Sequence, residues 1–226
     1  MADKRKPLVN DFVYHVYNRG VAKNDTFIIP SDYEKAIKLI DYYRFSNTPF
    51  RYSLLRKLPD SEQFDILSRL TKQNKLRVKI LSFILMPNHF HFTLKQMIDN
   101  GISKFMSDFT NSYTRFINVK NDRVGPLFQG IFKSKIIKTD EQLIHLSRYH
   151  HLNVYTDGIV NDIDGIINYP FSSMQNYLGN MIYNFVDTHD ILSLFKNHQS
   201  YKKFVLSNRH HQRELSKIRH LLLENS

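Results

Sequence analysis

Cysteine is absent from the 226 residues, which excludes a disulfide framework, a thiolate metal site and a thiol nucleophile. That absence suits a reducing compartment. No apolar run approaches the roughly 20 residues that cross a bilayer. None follows the basic start Met1-Ala2-Asp3-Lys4-Arg5-Lys6-Pro7, so neither a membrane span nor a signal peptide is expected. Internal repeats, low-complexity tracts and Gly/Ser linkers are missing too. Acidic residues are outnumbered: 32 Lys and Arg against 21 Asp and Glu leave a formal charge of +11. Such an excess favours a polyanionic partner, nucleic acid ahead of an acidic membrane surface. These features predict a cytoplasmic, nucleoid-associated protein with no membrane partner.

What is present suffices for a substantial core: 42% of residues are hydrophobic and 13% aromatic. Residues 11–18, β-branched and aromatic, read as a strand that turns at Arg19-Gly20. Ser31-Asp32-Tyr33-Glu34 has the capping-box pattern and opens a helix to about Phe45, broken by Asn47-Thr48-Pro49. A polar insertion over about 46–76 holds a short helix at 61–70. Residues 76–85 and 89–94 read as two strands of a hairpin. Ile102, Phe105, Met106, Phe109, Tyr113, Phe116 and Ile117 recur at helical spacing. Residues 127–137 read as a strand with Gly130 inside it. Thr139-Asp140-Glu141-Gln142 is a second capping box, opening a helix over about 140–153. Beyond 157 the text is loop-like, with one helix after Tyr169-Pro170-Phe171-Ser172-Ser173. Two or three more follow from His189, the last basic and spanning 209–223. The order β-α-β-β-α-β predicts an α+β, ferredoxin-like antiparallel sheet with helices on one face. Residues 1–156 form that unit and 157–226 a helical C-terminal extension.

The hairpin's second strand carries the chemistry. In Met86-Pro87-Asn88-His89-Phe90-His91-Phe92-Thr93-Leu94, alternation sends His89, His91 and Thr93 to one face. Phe90, Phe92 and Leu94 face the core. Two imidazoles about 6–7 Å apart along a rigid strand form half of a metal site. The segment 101–138 follows directly, with seven basic residues against two acidic ones, Asp108 and Asp122.

On the helix over 140–153, His145, Tyr149 and Asn153 are spaced four apart and share a stripe. Packed over the histidine strand, this helix would complete a kit for phosphodiester cleavage: two imidazoles, an amide oxygen and a phenol. A phenol is only about 0.1% ionised at pH 7, so the site must activate it. His145 and His150 are both candidates for the base. Imidazoles favour zinc-like ions whereas phosphate chemistry recruits magnesium or manganese, and the residues alone leave that choice open. Tyr113, on the apolar stripe of its own helix, reads as core.

Several ordered stretches resemble a known family. They are Tyr14-His15-Val16-Tyr17-Asn18-Arg19-Gly20, Leu85 to Phe92 with its His-hydrophobe-His motif, and Val124-Gly125-Pro126-Leu127-Phe128-Gln129-Gly130-Ile131-Phe132-Lys133-Ser134. Leu146-Ser147-Arg148-Tyr149-His150-His151-Leu152-Asn153 and Tyr169 to Ser173 complete the set. Together, over residues 11–178, they are similar to the single-tyrosine HUH transposases of the IS200-like kind, most nearly the REP-associated tyrosine transposases. The resemblance implies Tyr149 as nucleophile, His89, His91 and Asn153 as metal ligands, and Mg2+ or Mn2+ as the ion. It implies single-stranded DNA, bearing a hairpin, as the substrate. Cleavage would leave a 5′-phosphotyrosine and a free 3′-hydroxyl able to rejoin another end. Val154 stands where the family has proline, and Ile131 where it has a basic residue. The oligomeric state stays open between monomer and homodimer.

Arg19, Gln129, Lys133, Lys135 and Arg148 are candidate DNA contacts, and Phe128 a candidate stacking partner for an unpaired base. The alternative is a non-catalytic single-stranded nucleic-acid-binding module of ferredoxin-like fold. Such a module would show exposed aromatics on its central strands rather than a histidine pair and a tyrosine.

Overall fold

The computed structural model describes residues 7–207; the basic helix expected at 209–223 lies outside the described residues. The chain runs through β1 (Val13–Arg19), α1 (Pro30–Tyr43), α2 (Tyr52–Leu55), α3 (Asp60–Gln73), β2 (Val78–Met86), β3 (His89–Gln96) and α4 (Gly101–Lys120). It continues through β4 (Lys133–Ile137), α5 (Asp140–Thr156), α6 (Ile163–Asn168), α7 (Met174–Tyr177), α8 (His189–Leu192) and α9 (His198–Ser207). The sheet order is β2-β3-β1-β4 with every neighbouring pair antiparallel, the expected ferredoxin-like arrangement.

Alternation assigns the two faces of the sheet. Tyr14 and Val16 of β1 join Phe90, Phe92 and Leu94 of β3 in the larger core. Ile102, Phe105, Met106, Phe109, Tyr113 and Ile117 of α4, with Ala36, Leu39 and Ile40 of α1, cover that face. Burying each of these large side chains stabilises the fold by roughly 1.5–3 kcal/mol. On the opposite face lie α5 and the helices after it. A bulge between Ile80 and Ser82 shifts the register of β2. It turns both Leu81 and Ser82 toward the α5 side, Leu81 into a second core with Leu152, Tyr155, Tyr177 and Tyr201. Ile84 and Met86 meet Val154 of α5 in a third cluster.

Several boundaries differ from the sequence expectations, each for a local reason. Helix α1 starts at Pro30, whose fixed φ suits a first helical position, so Ser31 is not the cap. Asp32 does that work: its Oδ2 accepts from the backbone N–H of Ile28 and of Ile29, each at 3.2 Å. Strand β4 is confined to 133–137, because Gly130 turns left-handed at φ 58° and residue 128 makes only an isolated bridge with Gly20. Helix α5 extends to Thr156. Thr139 Oγ1 accepts from Gln142 N at 3.2 Å, while Gln142 Oε1 accepts from Lys138 N at 2.8 Å, one residue before the cap. Helix α6 occupies part of the loop-like text, capped by Asp162 through Gly165 N at 2.7 Å.

Both sheet edges are managed. Edge strand β4 exposes Lys133 and Lys135, whose charges discourage strand addition. The β2 edge is covered by residues 169–187. Leu85 N donates to Phe171 O at 2.9 Å, Ser173 N to Phe83 O at 3.0 Å and Asp187 N to Ile80 O at 2.9 Å. Tyr169 donates its hydroxyl to Leu85 O at 2.8 Å.

Candidate functional site

The α5 face of the sheet is a grid fixed by register. His89 lies beside Arg19, His91 beside Tyr17, and Thr93 beside His15. On the far side of β1, Lys133 pairs with Tyr17 and Lys135 with His15. Residues directly opposite on paired strands point the same way. Two histidines of β3, one of β1 and three cations therefore share one surface.

Helix α5 crosses this surface. The Tyr149 ring stands edge-on to His91, centroids 5.3 Å apart, and 6.4 Å from His15. One turn further on, Asn153 is buried with its side-chain nitrogen 3.5 Å from His89 Nε2. The structure thus brings His89, His91, Tyr149 and Asn153 together.

Tight packing explains why α5 sits there despite its polar sequence. Most of its buried polar side chains reach partners outside the helix. His150 Nδ1 is 2.9 Å from Ser82 Oγ, which donates to Thr93 Oγ1 at 2.8 Å. His151 Nε2 is 2.9 Å from Ser173 Oγ, and its Nδ1 is 2.8 Å from the Tyr201 hydroxyl. That hydroxyl also donates to Ser147 Oγ at 3.0 Å. Helix α9 and the 169–173 segment thereby hold α5 in register.

The imidazoles are kept neutral. Burial first, then the Arg19 charge, pushes His89 down to about 4. Burial and then Lys135 bring His15 to about 4. Burial, followed by neighbouring His89, His15 and Arg19, holds His91 well below the usual histidine range. His150 is held low by burial, then by His15, His91 and His151. Neutral imidazoles at pH 7 are the form that binds a cation. Among the described residues, His15, His91 and His150 offer ring nitrogens all within 4.8 Å of one another, a group able to hold a metal ion. His150 Nε2 is buried with no hydrogen-bond partner there.

The expected DNA contacts fall in different places. Lys133, Lys135 and Gln129 are exposed, and Arg19 is half-buried beside the histidines. Phe128 is buried, its ring against Phe90 and Tyr113, so it offers no face to a base. Arg148 is also buried, its guanidinium 4.5 Å over the Phe204 ring and Nη2 2.6 Å from His145 Nδ1. Tyr113 sits in the core and donates to Thr26 O at 2.8 Å. His15 was not singled out by sequence reasoning. The alternation of Tyr14 and Val16 inward with His15, Tyr17 and Arg19 outward was the signal that could have found it.

Residues 42–151 match the family model described as transposase IS200 like, a stretch that includes His89, His91 and Tyr149. No curated protein matches the chain. Among solved structures, a REP-associated tyrosine transposase bound to a REP hairpin aligns with a TM-score of 0.53 and 13% identity, over 84% of this chain and 93% of its own. A bacterial tRNA(His) guanylyltransferase-like protein in complex with GTP aligns with a TM-score of only 0.36 and 10% identity, over 70% of this chain and 74% of its own, too low to argue from. Among the described residues, no helix is long and apolar enough to cross a membrane. The family match falls on the strand that carries the histidine pair and the helix that carries the tyrosine, and the fold is that of the REP-associated enzyme: residues 42–151 of this chain match the IS200-like transposase domain.

Proposed function

We propose that this protein nicks single-stranded DNA and transfers the cut strand through a covalent 5′-phosphotyrosine, acting on DNA that carries a hairpin. One observation carries the reading: Tyr149 stands over His91 while Asn153, on the same helix, reaches His89. A solvated polar strand would need no such helix above it.

The Tyr149 oxygen attacks the scissile phosphorus and gives up its proton, forming a new O–P bond. The bond to the 3′ oxygen breaks, and that oxygen leaves as a 3′-hydroxyl. In the reverse sense a 3′-hydroxyl attacks the phosphotyrosine and rejoins a strand, so the linkage conserves the energy of the broken bond. His89, His91 and Asn153 would hold the cation, Mg2+ or Mn2+. Their fit rests on neutral imidazoles and on an amide already beside His89 Nε2. A divalent ion there supplies charge neutralisation at the phosphate's non-bridging oxygens. Lys133, Lys135 and Arg19 line the same face and are suited to the flanking phosphates. Residues 1–156 form the catalytic unit on this reading. Within residues 157–207, Ser173, Tyr201 and Phe204 brace the tyrosine helix, and the protein works where chromosomal DNA is, in the cytoplasm.

The test incubates the protein with end-labelled single-stranded hairpin DNA and Mn2+ and resolves the products on a denaturing gel. Wild type yields a protein–DNA adduct; Tyr149→Phe yields none. An adduct that persists in Tyr149→Phe would overturn the assignment of the nucleophile.

A further inference from the structure

The hydrogen bonds on the far side of each candidate ligand point to two further residues of the same site. His89 and His91 each have Nδ1 engaged. His89 Nδ1 is 2.6 Å from Asn88 Oδ1. The Asn88 amide is oriented by its own nitrogen, which donates to Lys23 O at 3.2 Å. Its oxygen can only accept, so His89 carries its proton on Nδ1 and leaves the Nε2 lone pair directed at Asn153. His91 Nδ1 lies 2.8 Å from His15 Nε2. That bond has two tautomeric forms. In one, His91 donates from Nδ1 and keeps a free lone pair on Nε2. In the other, His15 donates and His91 Nε2 carries a proton, which disables it as a ligand.

We infer that Asn88 and His15 are positioning residues, each accepting a hydrogen bond from Nδ1–H of one histidine of the pair, so that His89 and His91 both present Nε2 to a cation. This inference rests on the site proposed above. It treats His15 as the acceptor behind His91 rather than as a ligand, because the two nitrogens aim at each other and leave no room for an ion between them. Outer acceptors of this kind fix a ligand's tautomer and ring orientation, and their loss typically weakens metal binding 10–100-fold. The hairpin turn and β1 thus each supply one acceptor. Gly20 N, which donates to Asn88 O at 2.7 Å, ties the two together.

Calorimetric titration of Mn2+ into the metal-free protein separates the two layers of the argument. Wild type binds and His91→Ala does not; if wild type fails to bind, the site and this inference fall together. Given that binding, His15→Leu and Asn88→Ala weaken it 10–100-fold. His15→Gln and Asn88→Asp, which keep an acceptor oxygen, recover most of the affinity. Wild-type affinity in His15→Leu would overturn the inference and leave the site standing. A His15→Gln as weak as His15→Leu would make His15 a direct ligand, and would overturn it too. The tautomer is read without metal from the ring 15N shifts of His91 in the full chain. Protonated Nδ1 is expected, and protonated Nε2 contradicts the assignment.

Discussion

At the scale of single residues, the two tyrosines that sequence spacing brought forward differ by environment rather than identity. Tyr113 is buried, its hydroxyl donates to a backbone carbonyl, and burial pushes its phenol far above the usual range. Tyr149 is half-buried at the histidine face. Tyr113→Phe should therefore form the DNA adduct as wild type does, and lose only about 1 kcal/mol of stability with its hydrogen bond. Gel assay and thermal melt on one preparation check both parts, and a Tyr113→Phe variant that cannot form adduct would count against the choice of Tyr149. Gly20 is exacting for a steric reason. A Cβ there would lie 2.2 Å from Asn24 O and 2.8 Å from the Thr26 methyl. Gly20→Ala should cost about 1–3 kcal/mol, measured by denaturant unfolding.

At the scale of elements, the amphipathic α4 was legible because its apolar residues recur every three or four positions and all face one sheet. Phe109→Ala there should cost about 3–5 kcal/mol by denaturant unfolding. Helix α5 was legible by its cap but not by its burial. Ser147, Arg148, His150, His151 and Asn153 are all buried, which no hydrophobic periodicity announces. Their long-range partners come from Ser82, His89, Ser173, Tyr201 and Phe204, distant in sequence. Tyr201→Phe removes the hydroxyl that bridges Ser147 and His151 and leaves a buried ring nitrogen unpaired. It should destabilise by about 1–3 kcal/mol. Because Tyr201 braces α5, hydrogen exchange should rise at α5 amides more than at those of α4. Equal changes in both helices would argue against that bracing.

At the scale of the whole molecule, charge and buried imidazoles set the response to salt and pH. If Lys133 and Lys135 each contact a phosphate, the double change to alanine should flatten the slope of log affinity against log salt by about 1.4, at about 0.7 per contact with a single strand. An unchanged slope in a filter-binding titration would remove β4 from the DNA path. His15 and His89 sit near 4 and His151 near 3 through burial, below the unfolded histidine value. Below about pH 6.5 the unfolded chain takes up protons that the folded chain refuses, so stability is complete above that pH and falls as pH drops toward 4. The loss is on the order of 2–3 kcal/mol for each such imidazole. Melting temperatures at pH 7 and pH 5 check it, and equal values would contradict the buried neutral state.

The sequence by itself determined the strand alternation, the order of core elements, the capped start of α5 and the basic balance. Each follows from local backbone periodicity or from counting charge. It also placed His89, His91, Tyr149 and Asn153 on their elements. Only the tertiary structure decided that α5 lies across the β3 histidines, that His15 faces His91, and that Phe128 and Arg148 turn inward. Those outcomes depend on strand register, on the bulge at Ile80–Ser82 and on partners 50 to 112 residues away, such as Tyr201 for His151 and Gly130 for Asn18. Register and long-range hydrogen bonding are properties of the packed sheet, and no window of neighbouring residues contains them.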